Sequence, residues 1–154
     1  RGAVARARKA FPDREIELRL APDLPLVHGD GPLLEQVFFN LLDNADKYVP
    51  KGTATRVGAR LEGGAIVATV EDDGPGVPPD KLDLIFEKFF RAQTDDGRPP
   101  GTGLGLAIGR GVIEAMDGTI RAESPISGER GLRIVVTLPG AQTPEAQASN
   151  ALDN

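Results

Sequence analysis

A chain of 154 residues and 16.3 kDa suits one domain built around a single core. Its 18 Lys and Arg stand against 23 Asp and Glu, a formal charge of −5, and no basic run is interleaved with aromatics, so nucleic acid is not an expected partner. With no cysteine and a single histidine, His28, neither a disulfide framework, a thiolate zinc site nor a histidine metal cluster can form.

The opening "RGAVARARKAF" lacks an initiator methionine and the apolar core of a signal peptide, and no stretch reaches the ~20 apolar residues of a membrane span. The sequence reads as a piece of a longer protein, suited to a reducing cytoplasm and making no membrane contact of its own. "AVARARKAF" predicts a short helix, and "EIELRLA" alternates Ile16, Leu18 and Leu20 as a half-buried strand does. "GDGPLLEQVFFNLLDNADKY" is the clearest helix, with Asp30 as N-cap, Pro32 in its first turn and apolar residues at Leu34, Val37, Leu41 and Ala45. "TRVGARLEGGAIVATVED" reads as two strands joined by Gly63-Gly64 in a hairpin. A short helix is expected in "PDKLDLIF", then a long irregular stretch, "RAQTDDGRPPGTG". The run from Leu104 to Met116 is helical and closed by Gly118, and "TIRAES" and "GLRIVVTLP" return as strands. The expected class is α+β, a mixed sheet covered on one face by helices, over residues 1–139; the polar, small-residue tail 140–154 reads as disordered.

Three stretches carry chemistry. In the clearest helix, Leu34, Phe38, Leu41 and Ala45 form the core stripe, and Gln36, Asn40, Asn44 and Lys47 a polar stripe along its edge. Asn40 and Asn44 are neighbours one turn apart, in a helix whose propensity they lower. A solvated face explains them as well as a binding role does. In "VEDDGPGVP" a strand runs into Asp72-Asp73-Gly74-Pro75-Gly76, where glycines let backbone approach a ligand and a carboxylate can accept from an amine. Alone, DGPG is a common turn. In "GTGLGLAIGRGVIEAMDG", Gly101, Gly103 and Gly105 lead into a helix whose free N–H groups suit phosphate. It is neither a Walker sequence, having no GK[ST], nor of dinucleotide-binding spacing, which needs glycine at Ile108.

Together and in order, these stretches resemble the catalytic, ATP-binding domain of bacterial sensor histidine kinases, whose Bergerat-type fold, an α/β sandwich with an ATP lid, is shared with gyrase-type ATPases. Asn40 to Tyr48 resembles the asparagine box, Asp72 to Gly76 the DxGxG box, "FEKFFR" from Phe86 to Arg91 the phenylalanine box, and Gly101 to Leu106 the second glycine box. The likeness runs from about Leu24 to Pro139, and "LPLVHGDGPLLEQVFFNLLDNA" further resembles the potassium-responsive Kdp sensor kinases.

The resemblance implies ATP and Mg²⁺ as ligands. Asn44, with Asn40 one turn earlier, would bear on Mg²⁺; Lys47 would meet phosphate and Tyr48 pack near adenine. Asp72 would take the adenine exocyclic amine, with Gly74 and Gly76 giving the base room. Gly101, Thr102, Gly103, Leu104 and Gly105 would form the phosphate-facing end of the lid, and Arg91 would reach the phosphates or the docked partner. Glutamate at the position of Asn40 accompanies ATP hydrolysis in the gyrase and chaperone branches, where it activates water; an amide cannot. Asn40 thus implies a kinase that keeps its γ-phosphate for transfer to a histidine on a separate dimerisation hairpin of a membrane-anchored parent protein, and then to a response regulator. His28, in "LVHGD", lacks the acceptor's acidic neighbour and reads as a strand-end or surface residue. Phe39 lies off the core stripe, as a contact for the hairpin or as a half-exposed packing residue. The span from Thr94 to Pro100 reads equally as a lid that orders over ATP and as ordinary loop disorder, and the two readings are compatible. A serine kinase of the anti-sigma type and a nucleotide-sensing module without transfer remain the alternatives.

Overall fold

The computed structural model describes residues 1–27, 29–88 and 105–140. In chain order these form α1 (Gly2–Ala10), β1 (Ile16–Leu20), α2 (Gly31–Tyr48), β2 (Thr55–Glu62), β3 (Ala65–Asp72), 3-10 turns at Pro79–Lys81 and Leu84–Phe86, α3 (Gly105–Ala115), β4 (Thr119–Glu123) and β5 (Leu132–Pro139). His28, the end of the phenylalanine box with Arg91, the expected lid, residues 101–104 and the tail 141–154 lie outside the described residues.

The strands make one five-stranded sheet in the order β1-β2-β3-β5-β4. Gly63 and Gly64, at φ +59° and +80°, form the two-residue turn that pairs Glu62 with Ala65, and the hairpin register runs on to Thr55 opposite Asp72. β5 lies antiparallel between β3 and β4. Only β1 is parallel to its neighbour, β2, and a parallel pair needs a crossover, which α2 supplies.

One face of the sheet is apolar. Val57, Ala68, Val70, Ile120, Ile134, Val136 and Leu138 meet Val4 and Ala7 of α1, Val37, Leu41 and Leu42 of α2, and Ile113 of α3. Each fully buried Leu or Ile of such a core contributes about 1.5–3 kcal/mol. The helices therefore cover a single face, as expected. The opposite face carries a row of ion pairs through Arg121, Glu123, Arg133, Glu71 and Arg56.

Local differences from the sequence reading have physical reasons. "PDKLDLIF" forms two 3-10 turns rather than one helix, because Ile85 and Phe86 turn into the core while the residues before them stay at the surface. On α2, Leu42 is buried where Phe38 is only half-buried, since the stripe widens toward the sheet. Beyond α3 the left-handed residue is Asp117, at φ 58°, not Gly118. Gly118 is there for space: a Cβ would stand 2.5 Å from the Thr137 carbonyl oxygen on β5. Phe39 stacks on Phe11, centroids 5.8 Å apart, with the Arg6 guanidinium 4.0 Å over its ring, so it is a packing residue tying α1 to α2.

Candidate functional site

The helix that carries the amides is fixed at both ends. Asp30 caps its start, its carboxylate accepting from the Leu33 N–H at 3.1 Å, and Pro32 sits where no N–H is needed. Its C-terminal end is closed by Arg14, a buried side chain that sequence reasoning missed. The Arg14 guanidinium donates to the carbonyls of Asp46, Val49, Pro50 and Thr53 and to the Asp46 carboxylate. A cation on the last carbonyls of a helix answers their partial negative charge.

Between these anchors the polar stripe is present as read. Asn40, Asn44, Lys47 and Tyr48 are half-buried. Asn40 accepts from Gln36 Nε2 at 2.8 Å, and Lys47 forms an ion pair with Asp43 at 2.8 Å. The start of α3 comes down beside this stripe, with the Cβ position of Gly105 3.9 Å from Asn40 Cβ and that of Gly109 3.5 Å from Val37. The positive end of α3 is thereby brought next to the first amide.

The Asp72 turn lies against the C-terminal end of the same helix, at Val49. Asp72 is buried at the end of β3 and accepts from the Gly74 N–H at 2.9 Å. Burial is the main cause that pushes its carboxyl above the usual range, and Asp73 adds to it; the backbone N–H groups of Gly74 and Leu132 and, least of the three, the charge of Arg56 oppose it. A Cβ on Gly74 would stand 3.1 Å from both Asp72 Oδ1 and Val49 Cγ2, so this glycine lets the turn lie against the residue that ends α2. Gly76, at φ +75°, would meet the Ser124 hydroxyl at 2.6 Å if it bore a side chain. That hydroxyl accepts from the Val77 N–H and donates to the Gly131 carbonyl, and the Gly131 N–H donates to the Gly74 carbonyl. The turn is thus stitched to the loop between β4 and β5. Asp72 ends β3, and Gly74 and Gly76 follow in a turn held by these hydrogen bonds.

Sequence reasoning also missed Thr55 and Arg56. Thr55 lies directly opposite Asp72, and its buried hydroxyl has no hydrogen-bond partner among the described residues. Neither has a sequence signal beyond its strand position.

Residues 29–142 match the family model described as histidine kinase-, DNA gyrase B- and HSP90-like ATPase. The chain is a sensor histidine kinase catalytic domain. It is 42% identical over 132 residues to Sensor protein KdpD of Escherichia coli K12, covering 86% of this chain and 14% of that protein. A second Sensor protein KdpD, from Clostridium acetobutylicum, is 39% identical over 128 residues, 82% of this chain and 14% of that protein. The chain therefore spans about one seventh of the length of these relatives. Among solved structures, the mycobacterial sensor histidine kinase MprB superposes with a TM-score of 0.81 at 34% identity, covering 92% of this chain and 93% of that one. ShkA full-length in complex with AMPPNP superposes at 0.75 and 30% identity, over 92% of this chain and 30% of that one. A histidine kinase catalytic domain of this family binds ATP. No helix among the described residues is long and apolar enough to cross a membrane.

Proposed function

We propose that this domain binds Mg·ATP between α2, the Asp72 turn and α3, and presents the γ-phosphate to a histidine on a separate hairpin domain of the same kinase. The observation that carries the reading is the buried Asp72, held by its glycine turn against the C-terminal end of the amide-bearing helix. Asp72 accepts the adenine amine, with Gly74 and Gly76 leaving room for the base, and Tyr48 flanks the pocket from the end of α2. Lys47 and the start of α3 at Gly105 meet the phosphates, together with Gly101, Thr102, Gly103, Leu104 and Arg91.

The donor set fits a hard cation. Asn40 and Asn44 present amide oxygens one turn apart, and the oxygen that Asn40 gives to Gln36 keeps a second lone pair. Among the described residues there is no cluster of carboxylates or histidines for a metal, so the anionic ligands would come from the nucleotide. Bound there, Mg²⁺ would neutralise charge on the phosphates during transfer. Asn40 does the opposite of a general base: an amide beside the phosphates cannot activate water, and the γ-phosphate is kept for the protein acceptor.

The relatives are described as sensor proteins and sensor histidine kinases, and on that footing we infer a membrane-anchored parent protein with this domain in the cytoplasm and a response regulator as the onward acceptor. Calorimetric titration with a non-hydrolysable ATP analogue, with and without Mg²⁺, tests the site. Saturable Mg²⁺-dependent binding that Asn44→Ala abolishes and Asp72→Ala weakens, both variants remaining folded, is the expected result. Unchanged affinity in both variants overturns the assignment. With a hairpin domain supplied, an acid-labile phosphoprotein marks histidine as acceptor, an acid-stable one a serine kinase, and no product a binding module.

A further inference from the structure

Asp73, the residue after Asp72, lies against the open face of the sheet. Arg56 of β2 grips it with two parallel hydrogen bonds, Nη1 to Oδ2 at 2.7 Å and Nη2 to Oδ1 at 2.9 Å. The same guanidinium stands 3.5 Å from Glu71 through Nε, and Glu71 in turn accepts from Arg133 at 2.7 Å. Arg133 also holds Glu123 at 2.9 Å, and Glu123 is paired with Arg121. The row of alternating charges thus crosses from β4 through β5 and β3 to β2 and ends on the residue next to Asp72. Planar two-point pairing fixes orientation as well as distance, which a lysine in place of Arg56 would not do.

We propose that Arg56 is a positioning residue for the buried carboxylate of Asp72: by clamping Asp73 it anchors the turn and cancels the negative charge beside that carboxylate. The inference rests on the reading of Asp72 as acceptor for the adenine amine. With Oδ1 already accepting from the Gly74 N–H, the ionised carboxylate leaves its second oxygen as a charged acceptor for the amine, whereas protonation turns one oxygen into a donor; burial first, then the neighbouring Asp73, favour that protonated form. Beside the larger help of the Gly74 and Leu132 N–H groups, the Arg56 charge favours the ionised form of Asp72, and its hydrogen bonds hold Asp73 itself below the usual carboxylate range.

The other charged groups around Asp72 are engaged elsewhere. On its own strand Glu71 faces the open side with Arg133 of β5. At the end of α2, Asp46 is held by Arg14 and Lys47 is paired with Asp43. On the loop between β4 and β5, Glu129 and Arg130 are exposed. Arg56 and Asp73 are the side chains whose charges act on the Asp72 carboxylate.

The test compares the wild-type chain with Arg56→Gln, Asp73→Asn and the double variant. Carboxyl-carbon NMR follows the Asp72 titration without nucleotide, and calorimetry with the ATP analogue is run from pH 5 to pH 8. In Arg56→Gln the Asp72 midpoint moves up, and analogue affinity falls by about tenfold at the acid end and less at pH 8. Adding Asp73→Asn brings the midpoint back down and flattens the profile, because the like charge is gone. A midpoint that stays put in Arg56→Gln overturns the inference. So does an equal, pH-independent loss of affinity in Arg56→Gln and Asp73→Asn, the mark of a merely structural pair. If the midpoints move as stated while affinity does not follow, the role of Arg56 stands and the reading of Asp72 as the base acceptor falls.

Discussion

Thr55 and Asp72 stand directly opposite one another on β2 and β3, both buried on the helix-covered face of the sheet, and the Thr55 hydroxyl has no partner among the described residues. A buried hydroxyl without a hydrogen bond costs about 1–3 kcal/mol in desolvation. Thr55→Val keeps the shape and removes the hydroxyl, so it is expected to stabilise the nucleotide-free chain by about 1 kcal/mol, or a rise of roughly 2–4 °C in melting temperature. Thermal denaturation checks this, and a destabilised Thr55→Val would show that the hydroxyl is satisfied in solution.

Asp72→Asn separates binding from folding. Because burial raises the Asp72 carboxyl, its ionised form weighs against the folded state above the folded pKa, and that penalty fades as pH falls and the group protonates in both states. The amide is therefore expected to raise stability at neutral pH, with the gain shrinking toward pH 4. It offers a donor where Gly74 or the adenine amine also donates, so analogue affinity is expected to drop by about tenfold to a hundredfold. Denaturant melts and calorimetry on the one variant read both effects; a variant that is less stable at pH 7 than at pH 4 relative to wild type contradicts the sign.

Arg14 is the support of α2 that cannot be spared. Arg14→Ala takes the guanidinium away from four carbonyls and the Asp46 carboxylate, the Pro50 carbonyl keeping the Thr53 N–H at 3.4 Å, and a loss of about 3–5 kcal/mol is expected. Arg14→Lys, with one charged point instead of a fork, recovers only part of this. Chemical denaturation gives the difference, and a loss within about 1 kcal/mol would refute the capping role.

Two glycines, one within α3 and one just beyond it, are expected to respond in opposite directions. Gly111 is in the helix with open space around its Cβ position, so Gly111→Ala is expected to stabilise by about 0.5–1 kcal/mol. Gly118→Ala drives a methyl to 2.5 Å from the Thr137 carbonyl oxygen and is expected to cost at least about 2 kcal/mol. Melting both variants side by side settles the pair.

Much of this architecture was legible because its signals are local. Asp30 and Pro32 announce the start of α2, Gly63-Gly64 the hairpin, and alternation the strands. The amides of α2 and the Asp72 turn were readable through resemblance and order along the chain, and their convergence needed the fold. What escaped depends on distance in sequence: Arg14 reaches carbonyls more than 30 residues away, and Thr55 and Arg56 acquire meaning only from the register that sets them beside Asp72 and Asp73. Gly118 looked like a helix stop because a glycine after a helix usually is one; here Asp117 takes the left-handed turn and the glycine makes way for β5.

The lone parallel pair, β1 with β2, has a kinetic consequence. The β2–β3 hairpin closes through a two-residue turn, whereas Ile16 must find Thr55 across a stretch of sequence that includes all of α2. Local contacts form early and distant ones pay loop-closure entropy first. The carboxylate wall is therefore expected to assemble before the amide wall is docked against it, and pulse-labelled amide exchange during refolding would show β2 and β3 protected ahead of β1. On that order the proposed nucleotide site is the last part of the molecule to come into being, and ATP present during refolding is expected to accelerate none of the steps that precede it.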